Sequence, residues 1–290
     1  MRTHWHCGWG LLLVAAVAPA QAPSTDIFLV PLGDGGRSVA GSPRNLTARE
    51  GYDNQPFWTT DGRALWFSSV REGEQSDIYR LEIASGAVTR VTTTSPESEY
   101  SPTLMPGGDA LSVVRVERDS TQRLWRVPLG GGASTLVLEQ VRPVGYHAWI
   151  DSSTVVLFVL GSPNTLQLAN VRTGRVDTVT TGVGRSLHRV PGARRASFVK
   201  VVSREESWIM TLDPDTRATE RVVRLPAGVQ DYAWLPDGSV LIGEGSVLKR
   251  YDPRAGGTWT AVGELPGVTS ITRLAVSPRG DAVAVVGVPR

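Results

Sequence analysis

Residues 54–92 contain four short extended runs separated by turn signals, and this pattern recurs along the chain. The runs are FWTT, ALWFSSV, DIYRLEI and AVTRVT, which are rich in the aromatic and β-branched residues that favour strands. Asp61-Gly62, a polar loop at 71–76 and Ser85-Gly86 separate them, as hairpin turns do between antiparallel strands. Four strands per unit, at a period of about 40 to 50 residues, predict the blade of a β-propeller.

Two turns mark each unit, and each of them occurs six times. The turn between the first and second strands lies at 61–62, 106–109, 151–153, 191–193, 236–238 and 278–280. The turn between the third and fourth strands lies near Gly35, Gly86, Gly132, Gly174, Thr216 and Ala255. The third and fourth units are placed by spacing alone, because Asp-Ser-Ser and Pro-Gly-Ala replace the Asp-Gly turn there.

The order of these turns predicts a closed ring. The repeats begin with a second half-unit at 26–47 and end with a first half-unit at 268–288. Pairing the two halves in one blade removes the free strand edges that an open array would expose. We therefore expect an all-β, six-bladed propeller of four-stranded antiparallel blades, closed by its N- and C-terminal strands.

Residues 56–68 read PFWTTDGRALWFS and are followed by DIYRL, and related turns occur as WLPDG from Trp234 and VSPRG from Val276. This pattern resembles the TolB-type propeller repeat, and the resemblance covers nearly all of residues 21–290. It implies a propeller. Because the sequence contains no helix-length stretch with a 3.6-residue apolar period, we expect the α/β domain that precedes the propeller in TolB to be absent. The repeat also occurs in prolyl-oligopeptidase-like peptidases, so it says little about function.

The first residues are predicted to be a signal peptide. Arg2 precedes an apolar run at 11–18 and small residues that end at Ala20, where we expect cleavage. The run is too short to span a bilayer of about 30 Å. Residues 21–290 then form one propeller domain, periplasmic or secreted, with no transmembrane segment after cleavage.

Composition narrows the classes of partner. Removing residues 1–20 takes away the single cysteine and leaves 29 basic residues against 28 acidic ones. A cysteine-free chain in an oxidising compartment depends on its core and not on disulfides. The near-neutral balance argues against nucleic acid as a partner, since such proteins carry a clustered basic face.

Three tryptophans repeat at one position of the unit. Trp58, Trp149 and Trp234 fall at equivalent places in the first, third and fifth units. A large aromatic side chain at a repeated inner position suits the wedge between adjacent sheets. We interpret them as core, and stacking platforms for a sugar or base are the alternative.

Signals of catalysis are weak. Gly-x-Ser-x-Gly is absent from the sequence, so the peptidase half of the prolyl-oligopeptidase architecture is not indicated. Only His147 and His188 remain after the predicted leader. A divalent metal could be held by either of them with a carboxylate such as Asp53, Glu99 or Asp231, although hydrogen-bonded structural histidines are the simpler interpretation.

The candidate binding residues are those that enter each innermost strand, because in a propeller these positions surround one mouth of the central channel. They are Tyr52, Asp53, Asn54, Glu97, Glu99, Tyr100, Tyr146, His147, Arg185, His188, Gln230, Asp231, Tyr232 and Arg273. Tyrosines beside polar or charged groups recur among them. No catalytic residue is assigned.

Two functions follow as hypotheses. The first is a monomeric, non-enzymatic binding or scaffold propeller that docks an envelope or extracellular protein, or a small ligand, on the channel face. The resemblance to TolB implies a peptidoglycan-associated outer-membrane lipoprotein as the first candidate partner. The second is a metal-dependent lactonase-like hydrolase or lyase with its site in the channel, which rests on fold-level analogy.

Overall fold

The computed structural model describes residues 24–290, and they form six antiparallel sheets arranged as the blades of a propeller. Blade 1 contains β4 (Asp53–Trp58), β5 (Ala64–Ser69), β6 (Asp77–Glu82) and β7 (Val88–Arg90). Blade 2 contains β8 (Ser98–Leu104), β9 (Ala110–Val116), β10 (Gln122–Pro128) and β11 (Thr135–Leu136). Blade 3 contains β12 (Val144–Trp149), β13 (Thr154–Val159), β14 (Thr165–Asn170) and β15 (Val176–Thr181).

The remaining blades follow the same order from the channel outwards. Blade 4 contains β16 (Val183–Arg189), β17 (Ala196–Val201), β18 (Ser207–Leu212) and β19 (Thr219–Arg224). Blade 5 contains β20 (Tyr232–Trp234), β21 (Val240–Glu244), β22 (Val247–Tyr251) and β23 (Thr260–Glu264). Blade 6 contains β24 (Val268–Val276), β25 (Ala282–Pro289), β1 (Asp26–Gly33), β2 (Ser38–Val39) and β3 (Arg44–Asn45). The predicted fold class and blade count are confirmed.

Blade 6 combines both ends of the described chain. β1 pairs with β25 in an antiparallel register that runs from Asp26 opposite Gly287 to Pro31 opposite Ala282. β25 in turn pairs with β24, the innermost strand of this blade. The predicted closure of the ring is therefore confirmed, and the Gly-rich segment after β1 turns back to form β2 and β3.

The core consists of six apolar clusters, one in each wedge between neighbouring blades, within residues 24–290. Side chains alternate between the two faces of a strand, so one strand serves two wedges. In β25, Ala284 and Val286 pack toward blade 1, whereas Val283 and Val285 pack toward blade 5. This two-sided burial explains why second strands such as ALWFSS and TVVLFV are buried along their whole length and rich in apolar residues.

The repeated tryptophans are core residues, as predicted, and they also connect blades. Trp58 and Trp149 are buried, and Trp234 packs against the cluster between blades 4 and 5. Each indole N–H donates a hydrogen bond to the preceding blade. The acceptors are, in that order, the Ala275 carbonyl at 2.8 Å, the Ser112 hydroxyl at 2.9 Å and the Ser197 hydroxyl at 2.8 Å.

The predicted signal peptide lies outside the described residues and stays a prediction. Across residues 24–290, no helix is long and apolar enough to cross a membrane.

The sixth blade can be tested with one substitution and a matched control. Val285→Asp places a charge in the wedge between blades 5 and 6, where Val285 is fully buried. Because an unpaired buried charge is costly, we expect the free energy of unfolding to fall by about 4 kcal/mol or more. Val288→Asp, in the same strand but 38% exposed, should change it by about 0.5 kcal/mol at most. Urea unfolding measures both, and equal midpoints for the two variants would contradict this account of the core.

Candidate functional site

The innermost strands of the blades surround a channel with a cavity of about 410 Å³. One end of the channel is where the innermost strands begin and the second strands end, and we call this end the channel face. Tyr146, Arg185, Asp231 and Arg273 line it near this face, and Pro106 and Arg189 line it near the other. The walls combine apolar and charged side chains, which is common in ligand sites.

Irregular strand pairing directs side chains into this cavity. The register of the innermost strand shifts in the channel-face half of β4, β8, β12, β16 and β24. Such a shift leaves residues without a partner and bends the strand, as a β-bulge does. Tyr146, Arg185 and Arg273 lie in or beside these shifts, so the irregularity places their side chains in the channel.

Two residues of these bulges have left-handed backbone. Gln55 in β4 and Ser101 in β8 have φ of 56° and 55°, which is uncommon for residues with a side chain. The Gln55 Oε1 atom accepts hydrogen bonds from the Ser101 backbone N–H and the Ser68 hydroxyl, both at 2.8 Å. Both residues line the channel, and neither was among the predicted site residues. The only signal for them is the proline that follows each one, at equivalent positions of two units.

Two arginines and one aspartate form the charged centre of the channel. The Asp231 Oδ2 atom lies 3.6 Å from Arg273 Nη1 and 3.9 Å from Arg185 Nε. Within the described chain, neither Asp231 Oδ2 nor Arg185 Nε makes a hydrogen bond. Arg273 also donates a hydrogen bond of 2.7 Å to the Tyr146 hydroxyl, and Arg185 donates one of 3.0 Å to the Thr272 carbonyl. The centre therefore carries two cations, one carboxylate and unused hydrogen-bonding capacity.

Burial shapes the protonation of this centre. It raises the pKa of Asp231 to about 6, and the nearby Arg273 and Arg185 guanidinium groups only partly oppose the rise. Burial also raises the pKa of Tyr52, so this hydroxyl stays neutral. Burial lowers the pKa of Arg273, but Asp231, Tyr146 and Tyr52 outweigh it and the net direction is upwards. At neutral pH the centre has a net charge of about +1, which favours an anion.

The structure brings together about half of the predicted site residues. Those that line the channel cavity are Tyr146, His147, Arg185, His188, Asp231 and Arg273, and Gln230 lines an adjoining cavity. Those outside both linings are Tyr52, Asp53, Asn54, Glu97, Glu99, Tyr100 and Tyr232. Their roles as binding residues stay predictions.

Asp53 and Glu99 connect neighbouring blades. Both are fully buried, and each carboxylate is held by arginine: Asp53 by Arg49 at 3.2 Å and Glu99 by Arg115 at 3.0 Å. Their backbone N–H groups donate to the preceding blade, at the Thr25 carbonyl for Asp53 and the Ser76 carbonyl for Glu99. The two carboxylates thus act in packing at the channel face.

The two histidines are neutral, and each contacts a serine hydroxyl. The His147 Nε2 atom lies 2.6 Å from the Ser112 hydroxyl, and His188 Nε2 lies 3.0 Å from the Ser186 hydroxyl. The His188 ring also meets the Tyr232 ring edge-on, with centroids 4.7 Å apart. Burial lowers the pKa of His147 to about 3 and that of His188 to about 4.

The donors do not assemble a metal site. Residues 24–290 contain no group of three or more His, Cys, Asp or Glu side chains placed to hold one ion. The carboxylates considered with the histidines, Asp53, Glu99 and Asp231, face arginines instead. The residues present therefore do not fit the divalent metal of the second hypothesis.

Exposed apolar side chains are concentrated on the channel face. Of the five large apolar residues that are exposed in the described part of the chain, four lie at the channel-face ends of second strands: Leu160, Val201, Val202 and Val288. Val202 is 55% exposed. The fifth, Leu129, follows the third strand of blade 2 and lies on the opposite face.

We compared this six-bladed ring, with its charged channel, with proteins that are already known. No protein-family model matches the chain. Dipeptidyl-peptidase 5 of Porphyromonas gingivalis is 24% identical over 208 residues, which make up 68% of this chain and 27% of that protein. The chain thus spans 27% of the length of this curated relative.

Solved structures give the likeness in three dimensions. A protein assigned as TolB in Agrobacterium tumefaciens matches with a TM-score of 0.71 at 18% identity, covering 92% of this chain and 98% of that one. An oligogalacturonate lyase in complex with manganese matches with a TM-score of 0.60 at 17% identity, covering 86% and 80%. The chain has the TolB-like six-bladed propeller fold, as its repeat predicted.

The burial of His147 predicts a pH-dependent stability. A histidine whose pKa falls on folding stabilises the fold fully above its ordinary pKa of 6.5 and loses this contribution as the pH falls. Between pH 7.5 and 5.0 the loss for His147 is about 2 kcal/mol. We expect His147→Gln to reduce the acid-induced decrease in the free energy of unfolding by about this amount.

Urea unfolding at pH 7.5, 6.0 and 5.0 measures the effect as a difference between variant and wild type, so that other titrating groups cancel. His188→Gln should show the same sign, because its pKa is also lowered. Parallel pH profiles for wild type and His147→Gln would show that His147 is accessible to protons in the folded state.

Proposed function

We propose that this protein is a non-enzymatic binding module of the periplasm or extracellular space, which docks a partner protein on its channel face. The observation that carries the proposal is the concentration of exposed large apolar side chains on that face, whereas within residues 24–290 the opposite face shows Leu129 alone. Exposed apolar residues grouped on one surface are typical of interaction sites.

The channel face has the composition of a protein interface. Leu160, Val201 and Val202 lie at the channel-face ends of the second strands of neighbouring blades 3 and 4. Arginine and tyrosine, which are enriched where binding energy concentrates, occupy its centre as Arg185, Arg273 and Tyr146. Apolar contact around a charged centre supports docking of a folded or extended protein surface.

The enzymatic alternative lacks a donor set in the described chain. The manganese-bound lyase shares the fold at 17% identity, and this level of likeness extends to the fold alone. His147 is buried and His188 is partly buried, and both are neutral and hydrogen-bonded to serines. The geometry therefore supports binding over metal-assisted hydrolysis or elimination.

A paired substitution tests the docking face. The full chain carrying Leu160→Asp and Val202→Asp should capture its partner from an envelope extract at least tenfold less than wild type, because charge replaces apolar contact. Leu129→Asp is the matched control, since Leu129 is 39% exposed and Leu160 is 38% exposed. Quantitative mass spectrometry of cross-linked eluates measures the capture.

Thermal unfolding of each variant must match wild type for the comparison to hold. Equal capture by all three proteins would show that the channel face is not the docking surface. Charge reversal at Glu99 is unsuitable for this test, because Glu99 is buried against Arg115 and its reversal would disturb the packing of blades 1 and 2.

A further inference from the structure

A second cavity opens beside the channel between blades 4, 5 and 6. Its volume is about 450 Å³, and its walls are the loop 227–231, the segment 243–245 and the segment 270–272. It shares Arg185, Asp231 and Leu274 with the channel cavity. The charged centre is therefore reached from the channel and also from this side cleft.

The cleft exists because blade 5 is short at the channel face. The loop between its second and third strands has two residues, 245–246, where blades 1 to 4 have five to seven. Its innermost strand β20 is three residues long and pairs with β21 only as far as Ile242. Gly243 and Glu244 of β21 consequently have no strand partner on their inner side.

Glycines line this cleft, and at two of them the backbone is uncovered. A side chain on Gly243 would place a Cβ atom 2.3 Å from Ile271, so glycine is required there. Gly228 and Gly245 have positive φ and no neighbouring side chain where a Cβ atom would lie. An extended segment in the cleft can thus approach the main chain at Gly228 and Gly245, whereas Ile271 covers Gly243 and donates its N–H to the Gly245 carbonyl at 2.8 Å.

The inner end of the cleft offers unused partners for an acid group. Asp231 is 9% exposed, and its Oδ2 atom and the Arg185 Nε atom make no hydrogen bond in the described chain. Two guanidinium groups against one carboxylate leave room for a second carboxylate, because arginine binds such groups with strong charge-assisted hydrogen bonds. Arg185 and Arg273 can therefore bind one further anionic group in addition to Asp231.

We propose that the side cleft binds an extended peptide segment whose C-terminal carboxylate enters the channel between Arg185 and Arg273. This deepens the docking function above by naming the chemistry that the partner presents. A peptide is favoured over other carboxylate-bearing chains because the cleft combines uncovered main chain at Gly228 and Gly245 with two arginines that can bind a carboxylate.

Asp231 makes this binding sensitive to pH. It is faced by Arg185 from β16, by Arg273 from β24 and by its neighbour Tyr232 in β20, and Tyr52 and Tyr146 face Arg273 in turn. Burial raises the pKa of Tyr232 and Tyr52 and lowers that of His188 to about 4, so these groups do not change charge near pH 6. Protonation of Asp231 below pH 6 removes a negative charge beside the ligand carboxylate, and binding should tighten.

Fluorescence anisotropy with two synthetic probes tests the proposal on the full chain. The probes are fluorescein-Gly-Ala-Ala-Ala-Ala with a free carboxylate and the same peptide with a C-terminal amide. We expect the acid to bind at least tenfold more tightly than the amide, since hydrogen bonds to charged groups contribute strongly. Arg273→Gln should weaken binding of the acid about tenfold, and Arg279→Gln, an exposed arginine on the opposite face, should leave it unchanged.

Binding measured at two pH values separates a change in recognition of the carboxylate from a loss of folding. Wild type should bind the acid about tenfold more tightly at pH 5.0 than at pH 7.5. Asp231→Asn, which keeps the shape of the side chain, should bind more tightly than wild type at pH 7.5 and show little dependence on pH.

Three results would overturn the proposal. The first is equal affinity for acid and amide, and the second is an unchanged affinity in Arg273→Gln. The third is binding of an oligogalacturonate, which carries the same acid groups on a sugar chain, without binding of the peptide. Loss of partner capture in Leu160→Asp with Val202→Asp does not depend on these probes, so the docking function and the carboxylate site can fail separately.

Discussion

The pairing of β1 with β25 is the interaction on which the rest of the structure depends. It completes blade 6, and through Ala284 and Val285 it supplies both wedges that join this blade to its neighbours. Without it the β24–β25 hairpin would lack its partner in β1, and blade 6 would be incomplete where it holds Arg273 against Tyr146, which lies 127 residues away in blade 3. The geometry of the charged centre thus depends on a complete sixth blade, because Arg273 comes from that blade.

The channel face departs from regular structure in ways that have a cost. Bulged innermost strands, left-handed Gln55 and Ser101, and an aspartate with unused hydrogen-bonding capacity all lie there. Strained and unsatisfied groups persist where the surrounding structure holds them and where a ligand can use them. The opposite ends of the blades are tight Asx-type turns, such as Ser239 N–H to Asp237 Oδ1 at 2.9 Å, that satisfy themselves.

Several predicted site residues have structural roles that sequence spacing could not separate from binding. Asp53 and Glu99 occupy the same kind of position as Asp231, at or next to the start of an innermost strand. Arg49 and Arg115 pair with the first two, whereas Asp231 faces the channel, where Arg185 and Arg273 arrive from blades 4 and 6. Spacing identified the positions, and packing separated the two carboxylates that connect blades from the one that faces the channel.

The sequence by itself determined the number of blades, the shared sixth blade and the placement of tryptophans in the wedges. These features depend on local signals, namely turn residues and strand periodicity, that recur at a regular interval. The tertiary structure alone decided which side chains meet in the channel, and it opened the side cleft at the short strand β20. The contacts in the channel depend on register shifts of one or two residues in five innermost strands, and a shift of this size changes where a side chain points without changing the pattern that predicts the strand. The side cleft depends on the early end of β20, and the repeat pattern predicts where a strand lies better than where it ends.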